Sequence, residues 1–147
     1  MQTPFRAPEI LIGYRYASRI LDLINSSRDS VYIACYIWRV GGLDPHSPLS
    51  QINEALRRAH HRGVTVYLVT ASTEVRKQFQ SRGVPAHKYT GGKIFHNKVA
   101  VIDGQYAIVG SHNFSNHAFT ANVELSILYQ DPEMGESLIK YIKSLQV

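Results

Sequence analysis

The chain has 147 residues, one cysteine and a formal net charge of +5 with the histidines counted as neutral. Its length suits a single domain with a buried core, and its hydrophobic fraction of 44% excludes a disordered or low-complexity chain. The single cysteine excludes an internal disulfide bond, and no apolar stretch approaches the length of a membrane span.

The first residues and the charge balance favour a cytoplasmic protein with an anionic partner. Residues 1–6 lack a basic region followed by an apolar one, so we expect no secretory signal. The modest basic excess favours nucleic acid or anionic lipid as a partner, although it is also common in proteins that bind neither. Cys35 lies inside an apolar run, which predicts a buried and unreactive thiol.

The first half of the chain predicts two helices and two buried strands. Apolar residues at helical spacing indicate the helices, and continuous apolar runs rich in β-branched and aromatic residues are typical of strands buried on both faces. Ser50 is the expected N-cap of the second helix. In chain order the predicted elements are a helix over 9–27, a strand over 31–38, a loop over 39–48, a helix over 51–62 and a strand over 64–69.

The second half predicts shorter elements followed by a long final helix. They are a short helix over 73–81, a short edge strand over 85–89, two hairpin strands over 99–102 and 106–109, a turn capped by Ser115, a strand over 123–129 and a helix that begins at Pro132. Alternating helices and strands followed by a hairpin predict an α/β fold, in which a mixed β-sheet is flanked by helices on both faces. No linker divides the chain, so we expect residues 1–147 to form a single domain.

The segment 96–113 contains the strongest local signal in the chain. Asp103 and Gly104 stand between two apolar runs. An Asp-Gly pair at such a place predicts a tight hairpin, because both central residues of a type I′ turn need φ > 0. A two-residue loop pairs Ile102 with Gln105.

The same register predicts a cluster of polar side chains at the open end of the hairpin. It pairs Lys98 with Val109 and His96 with Ser111. Side chains alternate along a strand and opposed residues share a face, so His96, Lys98 and Ser111 lie on one face, and Asn113 follows two residues later. A bulge in the hairpin would shift this register.

This cluster combines a histidine with a cation and neutral hydrogen-bonding groups. Neutral imidazole is a nucleophile and a general base, and imidazolium is a general acid. A cation and neutral donors around a histidine suit an oxyanion with several oxygens, and phosphate fits best. The alternative is structural, since a lone histidine in a strand usually serves packing and Lys98 can simply extend to solvent.

The pattern His96-x-Lys98-(x)4-Asp103-(x)6-Gly110-Ser111-x-Asn113 resembles the HKD motif of the phospholipase D superfamily, with every defining position filled. A match of this many residue types at fixed spacing is highly specific. The segment 122–125, which contains Glu124, is similar to the Asn-x-Glu segment that follows the motif in this family. The resemblance implies the same α/β layout and a phosphodiesterase activity.

The resemblance also implies a homodimer. Family members usually carry two such motifs whose histidines meet across one active site, and this chain has only one. A two-fold axis through the site would bring two copies of His96 to one substrate. One copy forms a phosphohistidine, and the other protonates the leaving alkoxide and then activates water. The two copies differ in protonation state, so activity is expected to fall on both sides of an optimum pH, and no metal or cofactor is required.

Further catalytic roles follow from the same resemblance. Lys98, Asn113 and Ser111 hold the nonbridging oxygens of the phosphate. Glu124 accepts a proton from the other ring nitrogen of His96 and fixes its tautomer. The alternative for Glu124 is an ordinary surface residue of a strand.

Asp103 is a motif residue and so is counted with the catalytic residues, but it lies in the turn, where we expect it to shape the hairpin. Gly110 is expected to allow a close approach of the backbone. The remaining histidines suggest no metal site, and His112 is expected to point away from His96. These histidines are His46, His60, His61, His87, His112 and His117.

The sequence alone does not decide which substrate the protein acts on. Short single-motif members resemble bacterial endonucleases that cut DNA or RNA without sequence preference. We expect Lys88 and Lys93 to line a groove for the nucleic-acid backbone, and Trp38 and Arg39 to form its lip, where they stack on a base. Three helix arginines are explained at least as well by a solvated helix face; they are Arg57, Arg58 and Arg62.

Two alternatives to a nuclease stay open. The first is a hydrolase of an anionic phospholipid such as cardiolipin, against which no amphipathic insertion helix with an exposed apolar face is evident. The second is a nucleic-acid-binding module that keeps the pocket without turnover. An intact motif argues against the binding module, because binding phosphate alone does not need a nucleophile with a tautomer partner.

Overall fold

The computed structural model describes residues 6–147, and the expectation of no secretory signal, which concerns the first residues, lies outside the described residues. The strands are β1 Glu9–Ile12, β2 Ser30–Cys35, β3 Thr65–Thr70, β4 Ala86–Lys88, β5 Lys98–Ile102, β6 Tyr106–Gly110 and β7 Leu125–Gln130. The helices are α1 Tyr14–Ser26, α2 Pro48–His61, α3 Thr73–Gln80, α4 Asn116–Thr120 and α5 Pro132–Ser144. In residues 6–147 no helix has the length and apolar character needed to cross a membrane.

The seven strands form one mixed sheet in the order β1-β7-β6-β5-β2-β3-β4. The neighbours β2, β3 and β4 are parallel, and the other neighbouring strands are antiparallel. Helices α1 to α4 pack over one face around Ile33, Leu56 and Phe119. Helix α5 packs over the other face around Val101 and Ile142. The predicted fold class, a mixed sheet with helices on both faces, is therefore confirmed.

Strand β2 lies in the interior of the sheet between β5 and β3, and all six of its residues are buried. This confirms the prediction of a strand buried on both faces, although the strand ends at Cys35 rather than at Trp38. Cys35 is a buried free thiol, as expected, and burial raises its pKa to about 12. Beyond Cys35 the chain leaves β3, and Trp38 forms only an isolated bridge with Phe114.

The predicted helix over 9–27 is wrong in its first residues. Glu9–Ile12 is a strand that pairs antiparallel with β7, and the helix begins at Tyr14. Gly13 separates the two elements with a φ of +54°, and its N–H donates to the Glu124 carbonyl at 3.1 Å. Four residues are too few for apolar spacing to separate a strand from the start of a helix.

The N-cap of α2 also differs from the prediction. The cap is Ser47, whose side chain accepts the N–H of Ser50 at 3.3 Å, and Pro48 is the first helical residue. Proline is favoured there because its missing N–H would have no partner in the helix. The other helices and strands lie close to their predicted bounds.

The hairpin between β5 and β6 differs from its predicted register by one residue. Asp103 and Gly104 have φ values of +54° and +67°, as a type I′ turn requires. Ile102 nevertheless pairs with Tyr106. The predicted pair of Ile102 with Gln105 is therefore wrong, because Gln105 is an extra residue that forms a bulge.

The bulge has a cause outside the hairpin. The Gln105 carbonyl accepts the N–H of Asp131 at 2.8 Å and so belongs to the connection between β7 and α5. The shift means that Val109 does not oppose Lys98. The predicted pair of Lys98 with Val109, from which the single-face cluster followed, is therefore wrong.

The Asp103 carboxylate ties the hairpin to the start of β2. Its Oδ1 accepts the N–H groups of Arg28, Asp29 and Ser30 at 3.1, 2.8 and 3.2 Å. Asp103 directly follows the last residue of β5, whereas Lys98 is the first, so the length of the strand separates them. The expected structural role is confirmed, and the assignment of Asp103 to the catalytic residues is wrong.

Replacing Asp103 with alanine is expected to lower the free energy of unfolding by about 1–3 kcal/mol, because the N–H groups lose their acceptor and alanine is strained at positive φ. Urea denaturation measures this loss. Asp103→Asn keeps an acceptor oxygen and tolerates positive φ, so it should retain most of the stability. Asp29→Ala, at an exposed neighbour, is the matched control. Equal losses from Asp29→Ala and Asp103→Ala would contradict the role.

Candidate active site

One end of the sheet gathers most of the predicted site residues. Strands β2 and β6 end there, and β5 and β7 begin there, since Cys35 pairs with Lys98 and Gly110 pairs with Ser126. Paired strands lie about 5 Å apart, so the residues at and beyond these strand ends are neighbours. They include His96, Lys98, Ser111, Asn113 and Glu124.

His96 and Lys98 are in direct contact. Lys98 Nζ lies 3.2 Å from His96 Nδ1 and donates to the His96 carbonyl at 3.2 Å. The Tyr36 ring packs against both side chains: its centroid is 5.0 Å from that of His96 and 5.7 Å from Lys98 Nζ. The structure therefore brings together the predicted histidine and its cation.

The contact with Lys98 decides which nitrogen of His96 accepts a hydrogen bond. An ammonium group has only donors, so Nδ1 accepts, and the neutral ring then carries its proton on Nε2. In this arrangement neither ring nitrogen has a lone pair available for attack on a phosphate.

Asn113 is tied to the residue after Tyr36. Its Oδ1 accepts the N–H of Ile37 at 3.3 Å, and the Phe114 N–H donates to the Ile37 carbonyl at 2.9 Å. Because Tyr36 packs against His96, the Asn113 amide lies in the neighbourhood of that ring. Within the described chain its NH₂ group has no hydrogen-bond partner, so it can donate to a bound oxyanion.

Ser111 and Glu124 form a second group. The Ser111 hydroxyl donates to Glu124 Oε2, and its oxygen accepts the N–H of Leu125 at 3.0 Å. Asn122 donates to the other carboxylate oxygen at 3.4 Å. Within residues 6–147 these are the hydrogen bonds of the Glu124 side chain, so its predicted bond to His96 is not made inside one chain.

Gly110 allows the close approach that places Ser111, as predicted. A Cβ at this position would overlap with the side chain and Cα of Ser126 on the neighbouring strand β7. Any larger residue would push β6 away from β7 and separate Ser111 from the start of that strand.

The predicted substrate-binding residues divide into exposed and buried ones. Lys88, Lys93 and Arg39 are exposed, and their role in binding stays a prediction. Trp38 is only 4% exposed, and its Nε1 donates to Asn53 Oδ1 at 2.9 Å. Its ring packs edge-on against Phe114 at 4.5 Å between centroids, so the predicted stacking of Trp38 on a base is wrong.

Arg62 has a structural role that neither a nucleic-acid contact nor a solvated helix face predicts. Its Nη2 donates to the Ile24 carbonyl at 2.7 Å and to the Ser27 hydroxyl at 2.8 Å. These bonds satisfy the carboxyl end of α1.

Sequence reasoning missed Tyr36, which contacts both His96 and Lys98. It lies in the apolar run 31–38, where nothing distinguishes one aromatic ring from another. Its position immediately after a central strand is a usable signal, because ligand sites in sheets with parallel strands lie beyond the carboxyl ends of those strands.

His112 anchors the segment 111–113, a structural role that the sequence did not predict. It is 1% exposed and stacks on Tyr16 with 4.4 Å between ring centroids. Its Nε2 lies 3.0 Å from the Gly13 carbonyl, and its Nδ1 lies 2.8 Å from Ser126 Oγ. A carbonyl only accepts, so Nε2 carries the proton and Nδ1 accepts from Ser126. As expected, His112 points away from His96.

The assembled groups suit phosphate chemistry. Lys98 and Asn113 offer hydrogen-bond donors, and His96 offers an imidazole that can act as a nucleophile or exchange protons. In residues 6–147 no set of three His, Cys, Asp or Glu side chains is placed to hold a metal ion.

Comparison with known proteins identifies the family. Residues 20–146 match the family model described as "Cardiolipin synthase, PLD-like domain". The chain belongs to the phospholipase D superfamily. Nuc from Salmonella typhimurium, described as a phospholipase D family member, has the same fold: the TM-score is 0.77, with 22% identity, over 95% of this chain and 94% of that one.

The relatives found by sequence comparison include proteins named for reactions on nucleic acids and proteins named for reactions on lipids. The chain is 31% identical over 145 residues to "5′-3′ exonuclease PLD4" of Mus musculus, covering 86% of this chain and 29% of the relative. It is 30% identical over 131 residues to "Phospholipase D" of Rickettsia bellii, covering 82% of this chain and 59% of the relative. The chain thus spans less than two thirds of the length of these two relatives.

The buried His112 is expected to make stability depend on pH. Burial lowers its pKa, so the folded chain holds the neutral ring. The unfolded chain binds a proton below about pH 6.5, so the stability that neutral His112 contributes is present above that pH and lost as the pH falls. Between about pH 7 and pH 5, the free energy of unfolding of His112→Phe should therefore fall less steeply than that of the parent protein. Urea denaturation at each pH measures the slopes, and His117→Phe, at an exposed histidine, should keep the parent slope.

Proposed function

We propose that this protein is a metal-independent phosphodiesterase that hydrolyses DNA or RNA as an endonuclease without sequence preference. The reaction passes through a phosphohistidine at His96, in a site shared by two copies of the chain. The observation that carries the proposal is the contact of Lys98 with His96, beside the Asn113 amide, in a chain of the phospholipase D superfamily.

The proposed reaction has two steps. A nitrogen of one His96 attacks phosphorus, the P–O bond to the leaving alkoxide breaks, and His96 of the partner subunit gives that alkoxide its proton. His96 of the partner subunit then takes a proton from water, whose oxygen attacks phosphorus and displaces the ring nitrogen. The products are a phosphomonoester and an alcohol. Lys98 and Asn113 donate to the nonbridging oxygens in both steps.

The nucleophilic His96 also needs a partner that fixes its tautomer. The nucleophilic ring needs a proton on one nitrogen and a free lone pair on the other. Inside one chain Lys98 occupies Nδ1 of His96, and Glu124 is bonded to Ser111. In the proposed reaction Lys98 leaves Nδ1 and Glu124 leaves Ser111, so that the Glu124 carboxylate accepts the Nδ1–H of His96 and frees Nε2 for attack.

An exposed apolar surface supports the dimer. On the sheet face that carries α5, the end formed by β1 and β7 is uncovered, and Ile10, Ile12 and Leu125 are 56%, 63% and 47% exposed. We call these three residues the apolar edge. Leu125 directly follows Glu124, and its backbone bonds Ser111 in both directions. A second copy seated on the apolar edge would bury it and lie against the site.

Nucleic acid is the substrate that charge and relatives favour. The net charge is +5, which suits a polyanion. One relative is named an exonuclease. Lys88, Lys93 and Arg39 are exposed cations in the segments that precede the motif or follow β2. Hydrolysis of an anionic phospholipid is the second candidate, favoured by the relative named Phospholipase D and by Ile94, which is 83% exposed two residues before His96.

His96→Ala is expected to abolish hydrolysis, with a loss of at least about 1,000-fold, because it removes both the nucleophile and the general acid. The assay uses labelled single- and double-stranded DNA, RNA and cardiolipin vesicles, all in excess EDTA. Cleavage of nucleic acid by the parent protein establishes the nuclease. Cleavage of cardiolipin and of no nucleic acid would instead establish the second candidate, a phospholipid hydrolase.

The control for this assay is His46→Ala, which removes an exposed histidine outside the site and should keep full turnover. His96→Ala should still bind nucleic acid, because Lys98 and the exposed cations remain. Full turnover by His96→Ala, or dependence of the parent protein on a divalent metal, would overturn the proposed mechanism.

Leu125→Glu is expected to convert the dimer into a monomer, since it places a carboxylate in the apolar edge. Light scattering measures the mass, and hydrolysis should fall at least about ten-fold as the second His96 is lost. Val147→Glu, at another exposed apolar residue, is the matched control and should stay dimeric and active. A fully active monomer of Leu125→Glu would refute the shared site.

A further inference from the structure

A cleft leads away from the site along the segment after β2. Residues 36–41 line one side, and Ala71, Ser72 and Glu74 line the other. At its inner end Tyr36 packs against His96. The cleft has a volume of about 430 Å³, so it can take a group larger than a phosphate.

A second cleft continues the first. It lies between α2 and α3 and is lined by Val40, Asn53, Arg57, Gln78, Phe79 and Arg82. Val40 lines both clefts, so they meet at this residue. We call the surface formed by these two adjoining clefts, from Tyr36 to the arginines of α2 and the end of α3, the arginine track.

The arginine track has an excess of positive charge. Arg39, Arg57 and Arg82 line it, and Arg58 lies beside it. Two carboxylates oppose these four guanidinium groups, Glu74 on the wall and Glu54 beneath the arginines, so four minus two leaves a net charge of +2.

Glu54 binds the neighbouring arginines, but its single negative charge does not balance all of their positive charges. It accepts from Arg57 Nε at 3.0 Å and lies 3.9 Å from Arg82 Nη1. The hydrogen bond from Arg57 lowers the pKa of the Glu54 carboxyl, so it stays ionised and holds the cluster together. The Arg39 and Arg82 side chains are exposed and have no hydrogen bond within residues 6–147.

The floor of the track is fixed in place. Trp38 is buried in it and donates to Asn53, and the Asn53 NH₂ group donates to the Arg39 carbonyl at 3.1 Å. The Arg39 N–H in turn donates to the Phe114 carbonyl at 3.0 Å. A binding surface that is already ordered loses less entropy when a flexible strand binds to it.

We propose that the arginine track holds a single polynucleotide strand that leads away from the scissile phosphate, with Arg39, Arg57 and Arg82 contacting its successive phosphates. This assignment rests on the proposed function and specifies its substrate as a polymer. A phospholipid would extend apolar acyl chains along this path, whose lining includes Arg39, Arg57, Arg82 and Glu74. A strand presents a phosphate at each nucleotide, which matches cations spaced along a cleft.

The test measures binding of an oligodeoxythymidine of eight nucleotides to the full chain that carries His96→Ala. This variant cannot cleave the probe. Adding Arg39→Gln, Arg57→Gln and Arg82→Gln should weaken binding about ten-fold or more at 0.15 M salt. The slope of log affinity against log salt should become shallower by about 2, because each phosphate contact of a single strand contributes about 0.7. Arg28→Gln, at an exposed arginine at the opposite end of β2, is the matched control and should bind with little change.

The outcomes separate this proposal from the one on which it rests. If the triple variant binds as tightly and with the same salt slope as His96→Ala alone, while the parent protein cleaves nucleic acid, the track is wrong and the nuclease stands. Equal weakening by Arg28→Gln would show only non-specific attraction and would also reject the track. If the parent protein neither binds nor cleaves nucleic acid and hydrolyses cardiolipin instead, both proposals fail.

Discussion

The pairing of β2 with β5 is the interaction on which the candidate site depends. Every residue of β2 is buried, so water does not compete for the hydrogen bonds between these strands. The ladder runs up to the pair of Cys35 with Lys98, and the Tyr36 N–H then donates to the Asn97 carbonyl at 2.8 Å. This last bond places Tyr36 beside His96. At the other end the Asp103 carboxylate binds the start of β2, so both strands are fixed in register at both ends.

The second half of the site is held by a different set of contacts, around β6 and β7. Gly110 lets the two strands approach closely enough for Ser111 to reach the start of β7. His112 then bonds both Gly13 and Ser126, so the segment after β6 is joined to two other parts of the chain. The candidate site residues are therefore positioned by neighbours that a motif pattern does not contain.

The sequence predicted the composition of the site better than its geometry. The motif placed a histidine and a lysine in contact, because only one residue, Asn97, stands between them. The hairpin register failed because Gln105 bonds Asp131, and no pattern inside the hairpin reports a partner from another element. Trp38 was mistaken for the exposed ring and Tyr36 was overlooked, because a continuous apolar run has no alternation to show which side chain faces the core.

A symmetric dimer must still make its two histidines behave differently. In the proposed dimer both copies of His96 would have the same surroundings before substrate binds, so their protons would belong to the pair and not to either ring. A bound phosphodiester breaks this symmetry, since its leaving oxygen faces only one of the two rings. The ring near that oxygen is the one whose proton can be transferred, and the opposite ring is aligned for attack. In the proposed dimer the substrate therefore assigns the roles, and one motif in the chain is sufficient for both.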